Sequence, residues 1–229
     1  MKQLMRTNLF LFLICPVLFW GSLTFASQGS TFTSQFNDEE AEDQEEYWDF
    51  FQFAPKCQKA SKSQKAVIDR GNRLAQEFLA KCIASTGSEY WCQQITRPNP
   101  ASLSIFQCTY GQTQIHQLIN PDKNTWANAF RAVQLVQTLQ NQGIKPCLIY
   151  NWWRPEPYNK NVGGAPGRHP QGTSVDVRFC SMPEMESAFS TLCSWRASGQ
   201  LRALGYYGTT GLHLGVGDKV PNTWGKDCP

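Results

Sequence analysis

Charge is scarce in this chain of 229 residues: Asp, Glu, Lys and Arg make up 17%, against roughly 25% in an ordinary soluble domain. That shortage argues against a long solvated helix, a coiled coil or a wholly disordered chain. Only one apolar run, near the N-terminus, is long enough to meet a membrane, and no internal repeat is visible. No C-x-x-C pair occurs, which weakens any reading of the cysteines as metal ligands. Histidine is rare as well, with three in the whole chain. What is abundant is apolar side chain, 41%, enough for one sizeable core. At about 150 residues per domain the length suits one domain with additions.

The first 26 residues read as a secretory signal. Lys2 and Arg6 precede an apolar stretch from Leu9 to Trp20, and Thr24-Phe25-Ala26 places small residues where a signal peptidase reads. An uncleaved anchor is the alternative, but Pro16 interrupts a run already short for a span. Ile14 before Cys15 argues against lipidation. Eight cysteines remain after Ala26: Cys57, Cys82, Cys92, Cys108, Cys147, Cys180, Cys193 and Cys228. An even number in an exported chain points to four disulfides and an oxidising compartment, periplasmic or extracellular. Sequence does not choose among the pairings. Cys180 with Cys193 and Cys82 with Cys92 are the local expectations.

Charge is also unevenly placed. Eight acids lie between Asp38 and Asp49 with no base among them, whereas Lys56 onward carries 19 Lys and Arg against 10 Asp and Glu, a net of about +9. Residues 27–55 form an acidic leader, and its Ser-, Gln-, Asp- and Glu-rich part to about residue 46 is expected to lack fixed structure. The aromatic segment Tyr47 to Phe53 has two open readings. It docks on the body, with the acids covering a basic face, or it ends a solvated tail. A basic exported body suits an anionic polymer such as a cell wall.

Residues 56–229 are read as one domain, with a helical extension over about 56–110. Apolar spacing predicts a helix from Ser63 to about Ser85 and another to about Gln142, capped by Asn124 or Thr125 and stopped by Gly143. A third is expected over Glu184 to Ser198, ending at Gly199. Ser104–Gln107, Gln114–Ile119, Cys147–Trp153, Val175–Phe179 and Leu212–Val216 read as strands. Irregular mixing of the two predicts an α+β fold: a single disulfide-stapled domain with a small antiparallel sheet flanked by helices.

Chemistry concentrates between Tyr150 and Gly217. His169 opens His169-Pro170-Gln171-Gly172-Thr173-Ser174-Val175-Asp176, and His213 sits within Gly211-Leu212-His213-Leu214-Gly215-Val216-Gly217. Two histidines and one carboxylate form a catalytic zinc set that leaves a fourth position open. The bland alternative is a loop histidine, a turn acid and a core histidine.

Two separated blocks resemble the M15-type zinc D-Ala-D-Ala peptidases, whose metal site is shared with hedgehog signalling domains. The first runs from Trp153-Arg154-Pro155 through Asn159 and Val162-Gly163-Gly164-Ala165 to Arg168-His169, Gly172 and Asp176. The second is Gly205-Tyr206-Tyr207 with His213-Leu214-Gly215-Val216-Gly217, and Trp224 matches a Trp that commonly follows. The resemblance covers about 80 residues. It implies that His169, Asp176 and His213 hold Zn2+ and that Arg154 supplies a fixed positive fork to a developing oxyanion. An ion pair of Arg154 with Glu156 or a leader acid is the structural alternative. Trp152 and Trp153 are expected to pack the core.

The chain also departs from that family. The posts where its branches carry a general base are Thr210, Gly211 and Gly215 here. Asp218 is the weak candidate base if it folds back, and Tyr206, Tyr207 or Glu184 are further substitutes without a spacing argument. The expected function is therefore a secreted zinc metallopeptidase, a hydrolase cutting D-amino-acid amide bonds in peptidoglycan peptides as a D,D-carboxypeptidase or endopeptidase. The alternative is a catalytically silent, zinc-retaining module that binds wall peptides or a protein partner. A blander third reading is an adhesin with structural zinc. A monomer is expected, with no nucleic-acid partner and no membrane span once the signal is removed.

Overall fold

The computed structural model describes residues 57–97, 102–112, 117–218 and 221–229, all within one compact unit, Glu46–Pro229. The expected signal, the acidic leader and its aromatic end lie outside the described residues, as does the third histidine, His116.

Helix α1, Lys62–Arg73, starts where Ser61 and Gln64 close a reciprocal capping box, which satisfies two otherwise orphaned amides. Helix α2, Ala75–Thr86, follows almost at once, so the single helix predicted from apolar spacing is two. The break has a tertiary cause. A side chain at Gly71 would lie 2.0 Å from the Ile119 carbonyl oxygen, so the chain at Ile119 packs directly on the helix backbone there. Leu74 then bonds back to Gly71, three residues earlier.

Helices α3, Glu89–Gln94, and α4, Leu103–Tyr110, complete the N-terminal part. The strand predicted over Ser104–Gln107 is corrected to helix α4. Its buried residues are Phe106, Thr109 and Tyr110, an i, i+3, i+4 set that four residues of alternation could not reveal. Of the strand predicted over Gln114–Ile119, residues 113–116 lie outside the described residues, and 117–119 form no strand.

A short 3-10 turn, Lys123–Thr125, leads into α5, Trp126–Asn141. Its predicted face is as expected: Trp126, Ala129, Val133, Val136 and Leu139 are buried and Phe130 packs against the same core. Strand β1, Pro146–Asn151, and the single-turn helix α6, Tyr158–Asn161, come next. Then follow β2, Ser174–Phe179, and α7, Met182–Ala197, with Ser181 as its cap and Pro183 in its first turn. Strands β3, Ala203–Tyr206, β4, Gly211–Gly215, and β5, Asn222–Trp224, end the chain. The fold is α+β, with seven helices and a five-stranded sheet among the described residues.

Sheet order is β1-β2-β4-β3-β5. All neighbours are antiparallel except β3 and β5. Alternation along β2 separates Val175, Val177 and Phe179 from Ser174 and Asp176. The apolar set is buried together with Leu204, Leu212 and Leu214, and Phe189 of α7 meets Tyr206 edge-on at 5.3 Å. One contiguous core joins these residues to Phe78 of α2 and Phe106 and Tyr110 of α4. Phe78 stacks on Trp152 at 5.2 Å and meets Trp126 edge-on at 5.3 Å, tying the N-terminal helices to the end of β1.

Four disulfides staple the unit: Cys57–Cys108, Cys82–Cys92, Cys147–Cys180 and Cys193–Cys228. The expected Cys82–Cys92 pair forms because α2 ends and α3 turns back between them. The expected Cys180–Cys193 pair is corrected. Cys180 precedes α7 and Cys193 lies deep within it, so the rise of about 1.5 Å per residue holds them roughly 16 Å apart or more. A disulfide tolerates a Cα separation of about 4.4–6.8 Å. No helix among the described residues is long and apolar enough to cross a membrane.

Candidate metal centre

Asp176 sits near the middle of β2, directly opposite His213 on β4. Gly205 on β3 pairs with His213 in turn. On the other side the register of β1 slips between Ile149 and Asn151, so that Asn151 faces Asp176. Such a bulge re-aims a side chain, and here Asn151 Nδ2 donates to Asp176 Oδ2 at 3.0 Å.

His169 comes from the loop before β2, which the segment after β1 grips from several sides. The Trp152 indole donates to the Gly172 carbonyl at 3.0 Å and the Trp153 indole to Pro170 at 3.2 Å. The Arg154 amide donates to the His169 carbonyl at 3.2 Å. Both tryptophans are buried, as expected, and each also spends its one donor holding this loop.

Ring orientation follows from these contacts. His169 Nδ1 lies 2.8 Å from the Trp152 carbonyl. A carbonyl only accepts, so Nδ1 carries the hydrogen and Nε2 faces inward. Nε2 is 3.3 Å from Asp176 Oδ2, and His213 Nδ1 is 2.9 Å from Asp176 Oδ1. All three side chains are buried, and their candidate ligand atoms lie within 4.8 Å of one another. The Nε2 atoms of both histidines lack a hydrogen-bond partner among the described residues.

This arrangement fits a cation. A bare imidazole nitrogen facing a carboxylate oxygen is a meeting of two acceptors, unfavourable unless something positive lies between them. Two ligands on a tetrahedral ion with bonds of about 2.0–2.1 Å stand roughly 3.3 Å apart; His169 Nε2 and Asp176 Oδ2 have that spacing, while His213 Nδ1 and Asp176 Oδ1 are at hydrogen-bond distance, 2.9 Å. The group His169, Asp176 and His213 could hold a metal ion. Burial alone would raise the Asp176 pKa, but the imidazoles beside it outweigh burial and hold the carboxyl well below its usual range. Burial lowers the His213 pKa against the opposing pull of Asp176, keeping that ring neutral.

Further groups surround the trio. Arg154 places Nη1 3.9 Å from Asp176 Oδ2, its side chain is largely buried, and its Nε has no hydrogen-bond partner among the described residues. Glu156, one of the acids considered as its ion-pair partner, turns instead to Asn159 and the Lys160 amide. Tyr207 donates to Asp176 Oδ1 at 3.0 Å. Trp224 lies 4.9 Å from the His213 ring and under the Arg168 guanidinium at 4.1 Å. Gly205 makes that possible, since a side chain there would sit 2.2 Å from the Trp224 ring.

Asp218 does fold back, over Gly215. Its Oδ1 accepts from Thr173 at 2.8 Å and Ser174 at 3.0 Å, and its Oδ2 lies 3.4 Å from Arg168 Nε. It makes no contact with the trio among these interactions. Tyr206 bonds Glu186, and Glu184 accepts from the Lys145 amide, so of the substitutes considered only Tyr207 reaches the centre. Asn151 was not foreseen; no local pattern marks it, because a bulge supplies its position. Compared with models of known families, with curated proteins and with solved structures, the chain matches none.

Proposed function

We propose that the protein is an exported zinc peptidase that hydrolyses amide bonds at D-amino acids in peptidoglycan peptides, as a D,D-carboxypeptidase or endopeptidase. The observation that carries this reading is the convergence of His169 Nε2, Asp176 and His213 Nδ1 in one buried group, with the Arg154 guanidinium beside it. The ordered resemblance of two sequence blocks to zinc D-Ala-D-Ala peptidases supplies the reaction class. Four disulfides agree with an oxidising compartment outside the cytoplasm.

His169, Asp176 and His213 would hold the zinc. When bound, zinc supplies Lewis acidity toward an amide carbonyl and lowers the pKa of a water to about 7. The chain's own groups do the rest. The Trp152 carbonyl and Asn151 orient His169 and Asp176, a supporting role that sets ligand direction and basicity. Arg154, always charged, faces the negative charge that develops on the carbonyl oxygen.

A silent binding module is the second reading. One observation favours it: Thr210, Gly211 and Gly215 put no acid or base beside His213, while the Asp218 carboxylate is tied by two hydroxyls and Arg168. Zinc-loaded protein incubated with muropeptides separates the two. The peptidase releases D-Ala or splits cross-links, read by mass. Absence of product across several wall types, with binding retained, establishes the second reading instead.

A further inference from the structure

Tyr207 lies just beyond β3, and its position is unusual for a surface tyrosine. The residue is 42% exposed, yet its hydroxyl end reaches inward. Its oxygen is 3.0 Å from Asp176 Oδ1 and 3.3 Å from His213 Nδ1, and those two atoms are 2.9 Å apart. The three form a closed triangle. Its edges resemble the roughly 3.3 Å that separates two ligands on a tetrahedral ion with bonds of about 2.0–2.1 Å. A tyrosine that only steadied Asp176 would need contact with Asp176 alone. This one also lies 3.3 Å from a second candidate ligand atom, His213 Nδ1. Without a cation the phenol donates its hydrogen bond to Asp176 Oδ1.

We propose that Tyr207 is a fourth protein donor to the cation held by His169, Asp176 and His213. The inference rests on the metal reading above and goes beyond it. A three-ligand site keeps one position open; Tyr207 would fill that position in the resting protein and must swing away before a water or a substrate carbonyl takes it. As the cation binds, the phenol releases its proton to solvent and its oxygen pair turns to the metal, in line with the general release of protons on metal binding.

Copper tests this without reference to activity. A phenolate on Cu(II) gives a visible charge-transfer band that imidazole and carboxylate ligands do not. Disulfide-intact protein titrated with Cu(II) is expected to bind one equivalent and develop that band. The Tyr207→Phe variant, its fold checked by circular dichroism, binds copper without the band, and Tyr150→Phe keeps it. Copper bound by the wild type with no band, or an unchanged band in Tyr207→Phe, overturns the inference and leaves the metal centre standing. Failure of the wild type to bind either copper or zinc removes the metal centre itself, and this inference with it.

Discussion

Asp176 is a carboxylate with 2% exposure, surrounded by an amide, a phenol, two imidazoles and a guanidinium. Each neighbour has a separable consequence. On the proposed peptidase reading, Arg154→Ala removes a group that serves the transition state and not the metal. The expected loss in kcat is about 10²–10³-fold, measured on a muropeptide substrate, with zinc content by elemental analysis unchanged. Asn151→Ala removes a donor that orients Asp176, and metal affinity should fall by roughly 10–100-fold in a chelator competition. Acid acts here as well. Asp176 and His213 both have lowered pKa values in the fold, so the unfolded chain binds protons more readily. Their stabilising contribution is present above the unfolded values and shrinks as pH falls through them toward the folded ones. Urea midpoints of the metal-free protein should therefore decline from about pH 6.5 downward, the ordinary histidine value. A midpoint rising toward acid would contradict this account. At this scale His169, Asp176 and His213 were legible as two histidines and a carboxylate set among glycines, and Arg154 only through the resemblance to the zinc peptidases. Asn151 was not, and Tyr207 was named only without a reason, because a bulge and a strand-end turn decide where they point.

Among the elements, β5 has the most dependent position. It is three residues long, pairs in parallel with β3, and presents Trp224 to both His213 and Arg168. Gly205→Ala would press a methyl into the indole, and overpacking of this kind costs about 1–3 kcal/mol. The penalty should shrink in a Trp224→Ala background, because the two positions share one contact. Chemical denaturation of the four proteins in that cycle measures the coupling; full additivity would show that the strand does not sit as described. The helices show a similar division between local and distant causes. The face of α5 was readable over sixteen residues of regular spacing. The break between α1 and α2 depends on Ile119, far along the chain, and α4 was too short for periodicity to separate helix from strand.

At the largest scale, the described residues are held by one core and four crosslinks. Three of the disulfides close loops of 33 to 51 residues, each worth roughly 3–4 kcal/mol in loop-closure terms. Cys193–Cys228 is the informative one, since it ties α7 to the segment just beyond Trp224. Replacing both cysteines by Ala should lower the unfolding free energy by about 2–5 kcal/mol and, in the same protein, weaken the ordering of Trp224, read from its fluorescence. Metal should add stability across the whole unit. Zinc at 100 times its dissociation constant contributes about 2.7 kcal/mol, so the melting temperature should rise on loading and return on chelation. No change in melting on saturation with zinc would count against a metal bound by the folded state.

Composition, the apolar face of α5, the cysteine number and the order of His169, Asp176 and His213 along the chain are all local properties, and the sequence by itself determined them. Pairing of the cysteines, the split of the first helix, the approach of Asn151 and Tyr207 to Asp176 and the seat of Trp224 on Gly205 were decided only by the tertiary structure. Each of these depends on the distance between residues far apart in sequence, and that distance does not exist until helices of fixed rise and strands of fixed register have packed together.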